Sequence, residues 1–397
     1  MRAEGCPVGF PFGEPRELSV HPRYAEARAD GRLLKVRPPY GGEAWLATRH
    51  AHIRAILADP RFTRFPPEGC DEARLTRTVI RDPIAGRDRD EHTRIRRFLA
   101  HVLSFNAVRL RRLRENVRAH AEAQAAQVLR QGPGTDLCGA YAEPVSLLSC
   151  YDVFGISIAR QETFARWFEG FADPGMDAAE IAGRRDEVLR YLGEEVEARR
   201  RAPRDDVLTH VAEAIDAAVL GEDLLYEILL ELILVCDNVA IEFMGVLYLV
   251  LADAATTAAV RRDPGVLPRV VEECLRLVPF PSEVPFARHA AADVVVGDTP
   301  VRAGDQVLLA YASGNRDAEV FADPDAIRLD RPAVPHLSFG HGPAHCLGAP
   351  LVRVIMRVAL GVLLERIPAI GLAVPPERIA WRSDLLLRRP ESLPVTW

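Results

Sequence analysis

The sequence predicts a mainly α-helical protein with small β-sheets, folded as one large unit that spans residues 1–397. Three observations predict this fold class. Long segments carry apolar residues at i, i+3 and i+4 spacing, which is typical of amphipathic helices. Strand-like stretches are few and short. No Gly/Ser linker, charge block or internal repeat divides the chain, although its length alone would suggest two or three domains.

The individual elements follow from these patterns in chain order. The clearest helical segments are Ala107–Gln131, Gln161–Phe171, Ala178–Arg201 and Ala349–Arg366. Strands are predicted within Leu33–Leu46, within Asp293–Ala310 and in the last residues of the chain. Inside the second of these stretches, Gly297-Asp298 and Ala303-Gly304 are turn signals, so that stretch is predicted to form a hairpin.

Composition and charge argue against several classes of function. The chain has 48% hydrophobic and 27% charged residues, which is ordinary for a soluble globular protein. Its net charge of -6 argues against a nucleic-acid binder, whose affinity depends on neutralising phosphates. The N-terminus lacks the apolar segment of a signal peptide, and acidic residues interrupt the most apolar segment, Leu224–Leu251. We therefore expect a cytoplasmic protein without a membrane span, and a monomer.

One cysteine lies in a distinctive loop. The chain has 7 cysteines without a C-x-x-C pair, which predicts neither a disulfide framework nor a zinc site. Cys346 follows Gly340 and Gly342 and precedes Gly348 and a long helix, in the stretch FGHGPAHCLGAP. Glycines let a backbone approach a flat ligand closely, and a helix N-terminus stabilises a thiolate. A lone cysteine is usually a small buried hydrophobe, but this pattern favours a cysteinate bound to a metal.

This loop resembles the cysteine-ligand loop of the cytochromes P450, which has the form F-G-x-G-x-[HR]-x-C-x-G. The matching residues are Phe339, Gly340, Gly342, Cys346 and Gly348. The resemblance implies haem b, iron protoporphyrin IX, with the Cys346 thiolate as axial ligand. One position departs from the family pattern, because the basic residue that contacts a haem propionate is replaced by Ala344. We interpret this as the loss of one propionate contact.

Two further signatures lie in the order typical of the family. Glu273 and Arg276 match the ExxR pair of the K helix, and with Arg331 they resemble the family's buried Glu/Arg/Arg network behind the haem. Alone, a glutamate and an arginine three residues apart usually form a solvated surface pair.

The second signature, HxxxR of the C helix, is matched by His92 and Arg96. By resemblance these two residues, and Arg288 after the K helix, donate hydrogen bonds to the haem propionates. Together the signatures identify the chain as a member of the bacterial cytochromes P450.

The segment LILVCDNVAIEFMG resembles the I helix of the family, which crosses the oxygen-binding face of the haem. In that register Val235 and Cys236 occupy the usual Ala-Gly, while Asn238 and Val239 occupy the acid and alcohol positions that relay protons. Both relay groups are therefore missing. Adjacent helical residues point about 100° apart, so Asp237 is expected to face away from the haem, toward a polar partner or solvent.

The same register predicts a substrate pocket drawn from several separate segments of the chain. Its predicted members are Phe65, Ile84, Val235, Phe280, Ser282, Glu283, Phe286 and Leu386. An unpaired carboxylate in an apolar pocket is costly. Glu283 is therefore expected either to accept a hydrogen bond from a substrate N–H group or to face a nearby arginine.

The missing acid–alcohol pair favours oxidative coupling over oxygen insertion, and the chain as a whole resembles mycocyclosin synthase and related cyclodipeptide-oxidising and coupling P450s. The first hypothesis is a haem-thiolate oxidase that acts on a cyclodipeptide (diketopiperazine) or a similar aromatic intermediate and forms C–C or C–N bonds through radicals. The alternatives are a monooxygenase that hydroxylates a secondary metabolite, and a non-catalytic haem-binding or recruitment protein on the same fold.

The resemblance also implies partners. Besides a small aromatic substrate, a separate ferredoxin or flavodoxin would supply electrons. A run of basic residues in one predicted helix, Arg109, Arg111, Arg112 and Arg114, is interpreted either as part of its docking surface or as the solvated face of the helix.

Overall fold

The computed structural model describes residues 6–13, 17–64, 66, 69–75, 89–160, 162–166, 177–279, 287–332, 334–382 and 388–397. The α-helices within them are α1 Arg23–Asp30, α2 His50–Ala58, α3 Arg89–Val102, α4 Ala107–Gln131, α5 Glu143–Phe154, α6 Ala178–Arg201, α7 Val207–Asp216, α8 Glu222–Ala252, α9 Ala254–Arg262, α10 Leu267–Leu277, α11 Tyr311–Gly314 and α12 Ala349–Arg366. The strands are β1 Val8–Gly9, β2 Leu34–Arg37, β3 Ala44–Ala47, β4 Phe62–Thr63, β5 Arg288–Ala290, β6 Val294–Val296, β7 Thr299–Val301, β8 Gln306–Leu309, β9 Gly371–Leu372, β10 Trp381–Arg382, β11 Arg389–Pro390 and β12 Val395–Thr396.

The chain divides into two compact units, each assembled from separate stretches of sequence. Unit 1 contains Met1–Arg81, Gly265–Cys346 and Ala380–Pro390. Unit 2 contains Asp82–Pro264, Leu347–Ile379 and Glu391–Trp397. Because the chain passes repeatedly from one unit to the other, no single linker marks a boundary between them.

Unit 1 is built on a six-stranded sheet with the order β1-β2-β3-β8-β5-β4. Its β3–β8 pair is parallel, while β2 pairs with β3 and β5 pairs with β8 in the antiparallel sense. Apolar residues of α2, including Ile53 and Leu57, pack in one core cluster with Val307 of β8. The predicted hairpin is confirmed for β6 and β7, which turn at Gly297 with a φ of 56°. The next strand, β8, joins the large sheet instead.

Unit 2 is mainly helical, and long helices form its core. α4 begins at Ala107 because the Asn106 side chain accepts hydrogen bonds from the backbone N–H groups of Val108 and Arg109. The predicted helices Ala107–Gln131, Ala178–Arg201 and Ala349–Arg366 are confirmed. Within the predicted helix Gln161–Phe171, residues 162–166 are helical, and the other positions lie outside the described residues.

Helix α8 crosses the core of unit 2. It is long and apolar enough to span a membrane, yet 72% of its most apolar window is buried within the protein. Its neighbour α5 runs antiparallel to it. Tyr141, just before α5, lies 6.3 Å from Phe243, measured between ring centroids, whereas Cys150 near the end of α5 contacts Cys236. Helix α8 is therefore a core helix, and its buried polar residues need hydrogen-bond or ionic partners within unit 2.

Candidate active site

The cysteine loop of unit 1 has the conformation that its glycines predict. Gly340 and Gly342 adopt φ angles of 71° and 59°, a region that favours glycine. The Cys346 N–H group donates a 2.8 Å hydrogen bond to the Phe339 carbonyl, which ties the two ends of the loop together. Cys346 itself is exposed. The backbone therefore presents the thiol outward from a closed loop.

These features fit a thiolate ligand of haem iron. Across the ranges that the structure describes, no group of three or more His, Cys, Asp or Glu side chains could hold a metal ion. A metal bound at Cys346 would therefore obtain its remaining ligands from a cofactor, as iron does from a porphyrin.

Glu273 and Arg276 form the centre of a buried ionic network in unit 1. Arg276 Nε and Nη2 donate to Glu273 Oε1 and Oε2, each at 2.9 Å, and only 1% of the Arg276 surface is exposed. Arg331 Nε and the Arg328 backbone N–H group donate to Glu273 Oε2 at 3.1 Å. Burial alone would raise the pKa of Glu273, but its hydrogen bonds and the charge of Arg276 outweigh burial, and the pKa is lowered.

Hydrogen bonds also connect the K-helix region to the cysteine loop. The Ser338 hydroxyl donates to the Leu275 carbonyl of α10 at 2.7 Å and accepts from Asn315 Nδ2 at 2.9 Å. Asn315 Oδ1 accepts from the Leu337 N–H group at 2.6 Å, and Arg276 Nη1 donates to the Asn315 carbonyl at 2.9 Å. Because Ser338 immediately precedes Phe339, the network helps to position the start of the cysteine loop.

The three predicted propionate donors are divided between the units. His92 and Arg96 are half-buried and stand four residues apart on α3, which places them on one face of that helix in unit 2. Arg288 is buried on β5 of unit 1. Its neighbour His289 has its pKa lowered to about 4 by burial and by Arg288, so this imidazole is neutral. The donor set has the chemistry that carboxylate recognition requires.

On α8, the positions predicted to lie at the family's oxygen-binding face carry no carboxylate or hydroxyl. Val235 and Asn238 are half-buried, and Val239 is buried. The Cys236 thiol donates to the Leu232 carbonyl at 3.3 Å, and burial together with a hydrogen bond to Cys150 raises its pKa. The Cys236 side chain thus points toward α5.

Asp237 also lies near α5. Burial raises the pKa of Tyr151, and the charges of Cys236 and Asp237 raise it further, so the Asp237 carboxylate lies near the Tyr151 phenol. Asp237 therefore lies beside a polar group of α5, while its direction relative to the haem stays a prediction.

A further acidic residue of α8, Glu242, was not among the residues that the sequence predicted for the site. Its exposed fraction is 4%, and burial raises its pKa to about 8, against a smaller lowering effect of Arg353 on α12. The available signal was its spacing: Glu242 follows Asn238 by four residues and so shares its helix face.

One of the eight predicted substrate contacts lies within the described residues. Val235 is described and half-buried on α8. The other predicted members of the pocket lie outside the described residues: Phe65, Ile84, Phe280, Ser282, Glu283, Phe286 and Leu386.

The basic run of α4 separates into two pairs of residues. Arg109 Nη2 and Arg112 Nη1 lie 2.7 and 2.9 Å from the Asp205 carboxylate, so both arginines form ion pairs within unit 2. Arg111 and Arg114 are exposed. A docking surface on this helix would therefore depend on the second pair.

Comparison with known proteins covers nearly the whole chain. The family model for cytochrome P450 matches residues 253–370. The chain is 34% identical to mycinamicin IV hydroxylase/epoxidase of Micromonospora griseorubida over 394 residues, which cover 98% of this chain and 99% of the relative. It is 37% identical to nocardicin C N-oxygenase of Nocardia uniformis subsp. tsuyamanensis over 393 residues, 98% of each chain.

Solved structures agree with this assignment. The structure of HinD with NMFT and NO matches with a TM-score of 0.92 and 42% identity, over 99% of this chain and 100% of that one. The similar proteins include P450 hydroxylases and oxygenases and also a biflaviolin synthase and a P450 with biaryl coupling reactivity. They do not single out mycocyclosin synthase, so the finer resemblance is not supported. The signatures, the fold and the full-length relatives together establish that the chain belongs to the cytochrome P450 family, a family of oxidoreductases that bind haem through a cysteine thiolate.

Proposed function

We propose that this P450 is a monooxygenase that hydroxylates a small secondary metabolite. The observation that carries the proposal is the exposed thiol of Cys346, held in a closed glycine loop, in a chain whose full-length relatives include a hydroxylase/epoxidase and an N-oxygenase. The cyclodipeptide substrate expected from the sequence has no support among these relatives. Their named catalytic activities also argue against the non-catalytic alternative.

Different residues of this chain would contact different parts of the cofactor. Cys346 would supply the thiolate, beside Phe339, Gly340 and Gly348 of the same loop. His92, Arg96 and Arg288 would donate hydrogen bonds to the propionates, with one fewer donor than usual because position 344 is alanine. When bound, the haem supplies dioxygen activation and the oxidising equivalent.

Other residues would position the cysteine loop and shape the pocket. The Glu273, Arg276 and Arg331 network holds the segment that leads into the loop. Val235, Asn238 and Val239 would form the pocket wall, where apolar surface excludes water and the Asn238 amide can orient a substrate or a water molecule. The pocket residues outside the described ranges, including Glu283, remain predictions.

The experiment that tests hydroxylation is labelled-oxygen incorporation. The holoenzyme would be supplied with ¹⁸O-labelled dioxygen, a surrogate ferredoxin system and aromatic or macrocyclic candidate substrates taken from the surrounding biosynthetic genes. Hydroxylation predicts one labelled oxygen atom in the product. A product that lacks the label, while substrate is consumed, would overturn the proposal.

A second candidate is radical coupling of aryl groups. The observation that favours it is the pair Asn238 and Val239, which offers no acid–alcohol relay on the pocket face of α8. Coupling predicts a dimeric or internally cross-linked product, reduced by two hydrogen atoms per bond formed and free of label. The same experiment therefore separates the two candidates.

The proposed partners and location follow from the family. Members typically receive electrons from a ferredoxin, so we propose a separate ferredoxin or flavodoxin as the electron donor in the cytoplasm. On α4 of this chain, the exposed residues Arg111 and Arg114 are the ones available for such a contact.

A further inference from the structure

Along one face of α8, the residues change from half-buried to almost fully buried within a single helical turn. Val235, Asn238 and Glu242 are spaced by three and four residues, which places them along one stripe of the helix. Val235 and Asn238 are half-buried, whereas Glu242 is almost fully buried. Because each residue rises 1.5 Å, Glu242 lies about 6 Å along the axis from Asn238. The predicted pocket face therefore ends at a carboxyl group.

The Glu242 carboxyl lies in surroundings that favour its protonated form. Its Oε1 atom is buried and has no hydrogen-bond partner among the described residues. Burial raises the pKa of Glu242 to about 8, and the positive charge of Arg353 on α12 lowers it only in part. At neutral pH this carboxyl therefore carries a proton.

Several charged and titratable groups on the other elements around α8 have partners other than Glu242. Within the described part of the chain, Arg353 is the charged side chain that lowers the pKa of Glu242. Several other groups have neighbours of their own: Cys150 and Tyr151 lie against Cys236 and Asp237, Tyr141 against Phe243, Arg185 of α6 pairs with Glu227, His210 of α7 contacts Arg109, and Arg261 of α9 donates to the Ile370 carbonyl.

We propose that Glu242 is the proton donor of the pocket face of α8, serving where positions 238 and 239 lack the acid–alcohol pair. This inference rests on the proposed function, because an oxygen-activating pocket consumes protons. A buried acid whose pKa lies near the working pH is well suited to general acid catalysis.

The proton transfer needs only groups of this chain and water. The Glu242 carboxyl O–H gives its proton to a water molecule that is hydrogen-bonded to the Asn238 amide, and that water passes one of its own protons on to the site where dioxygen is reduced, so that the water is unchanged overall. Two hydrogen bonds through one water span about 5.5 Å, close to the rise from Asn238 to Glu242. The resulting carboxylate is stabilised by Arg353, and it takes a proton back from solvent. Asn238 orients the water and does not itself change protonation.

Infrared difference spectroscopy of the haem-loaded protein tests the proton site directly. Between about pH 6 and about pH 10, we expect a protonated-carboxyl C=O band that disappears with a midpoint near pH 8. The band should be absent in Glu242→Gln and retained in the matched control Asp237→Asn, which removes a carboxyl from the α5 side of the same helix. A band that survives Glu242→Gln, or no such band at pH 6, would overturn the proposal.

Arg353 variants provide a second test that keeps the glutamate. A positive neighbour favours the carboxylate, so Arg353→Gln should move the midpoint of the band to higher pH, whereas Arg353→Lys should leave it near the wild-type position. If both variants leave the midpoint unchanged, or Arg353→Gln lowers it, the assigned environment of Glu242 is wrong.

Measurements of turnover rate test whether Glu242 donates protons during catalysis. With a surrogate ferredoxin system, Glu242→Gln should slow reductant-driven dioxygen consumption by at least roughly 10²-fold, the lower end of general-acid contributions. Guaiacol oxidation driven by hydrogen peroxide, which brings its own protons, should change little. Equal loss of both rates would make Glu242 a structural residue and refute the proposal. If labelled oxygen failed to enter any product, the proposed function would fail, while the infrared titration would still decide the proton site.

Discussion

Replacing Glu273 with glutamine should remove the charge at the centre of the buried network in unit 1. The carboxylate accepts from Arg276 Nε and Nη2 at 2.9 Å and from Arg331 Nε and the Arg328 N–H group at 3.1 Å. A glutamine carbonyl can keep about two of these four bonds, while its amide N–H₂ group faces guanidinium donors. Losing two bonds to charged groups, each contributing about 1.5 to 3 kcal/mol, predicts a loss of about 3 to 6 kcal/mol, in line with about 3 to 5 kcal/mol for a broken buried ion pair.

Urea unfolding at neutral pH measures this loss, and the chain offers a matched control. Glu319 lies 3.5 Å from Arg49 with 70% of its side chain exposed, so Glu319→Gln should change the unfolding free energy by no more than about 0.5 kcal/mol. The pH dependence adds a second check. The pKa of Glu273 lies below its ordinary value of 4.5. Its carboxylate therefore contributes stability above that pH, and this contribution is lost as the pH falls through the lowered value.

The free-energy difference between wild type and Glu273→Gln should accordingly stay constant at neutral pH and narrow below about pH 4.5. A loss no larger than that of Glu319→Gln would refute the reasoning, because it would mean that the buried network contributes no more than an exposed ion pair.

The remaining predictions concern the cofactor, the pocket and the electron donor. Cys346→Ala should abolish the thiolate-type Soret shift of the ferrous protein with carbon monoxide, and a surviving shift would make the ligand assignment wrong. Val239→Thr should restore an alcohol and lower peroxide release per electron consumed; unchanged peroxide release and product profile would show that this position does not control the outcome. Charge reversal of Arg111 and Arg114 should weaken ferredoxin binding and flatten its salt dependence while unfolding is unaffected. If binding measured by titration is unchanged, the exposed pair is not a docking surface.

The sequence came close to the observed secondary structure wherever the pattern was long and local. The bounds of the helices Ala107–Gln131, Ala178–Arg201 and Ala349–Arg366 follow from apolar periodicity. The β6–β7 hairpin follows from its glycine turn. Strand β8 was harder to place, because its partners β3 and β5 are distant in sequence and no local signal specifies them.

The family signatures likewise predicted the chemistry of the site but not the directions of all its side chains. The sequence placed Cys236 in the register of the oxygen-binding face, whereas packing turns its thiol toward Cys150 on α5. The sequence shows that Glu242 follows Asn238 by one helical turn. Its protonation, however, depends on burial and on the distant Arg353, which only the folded chain brings near it.

The sequence by itself predicted the helical fold class from local spacing, and its resemblance to the family predicted the thiolate loop at Cys346 and a missing acid–alcohol pair at positions 238 and 239. Only the tertiary structure decided which polar groups share an environment. Burial and long-range neighbours set the lowered pKa of Glu273 and the raised pKa of Glu242. Two glutamates of the same chain therefore differ in charge because the fold surrounds one with guanidinium donors and buries the other with one carboxyl oxygen that has no hydrogen-bond partner among the described residues.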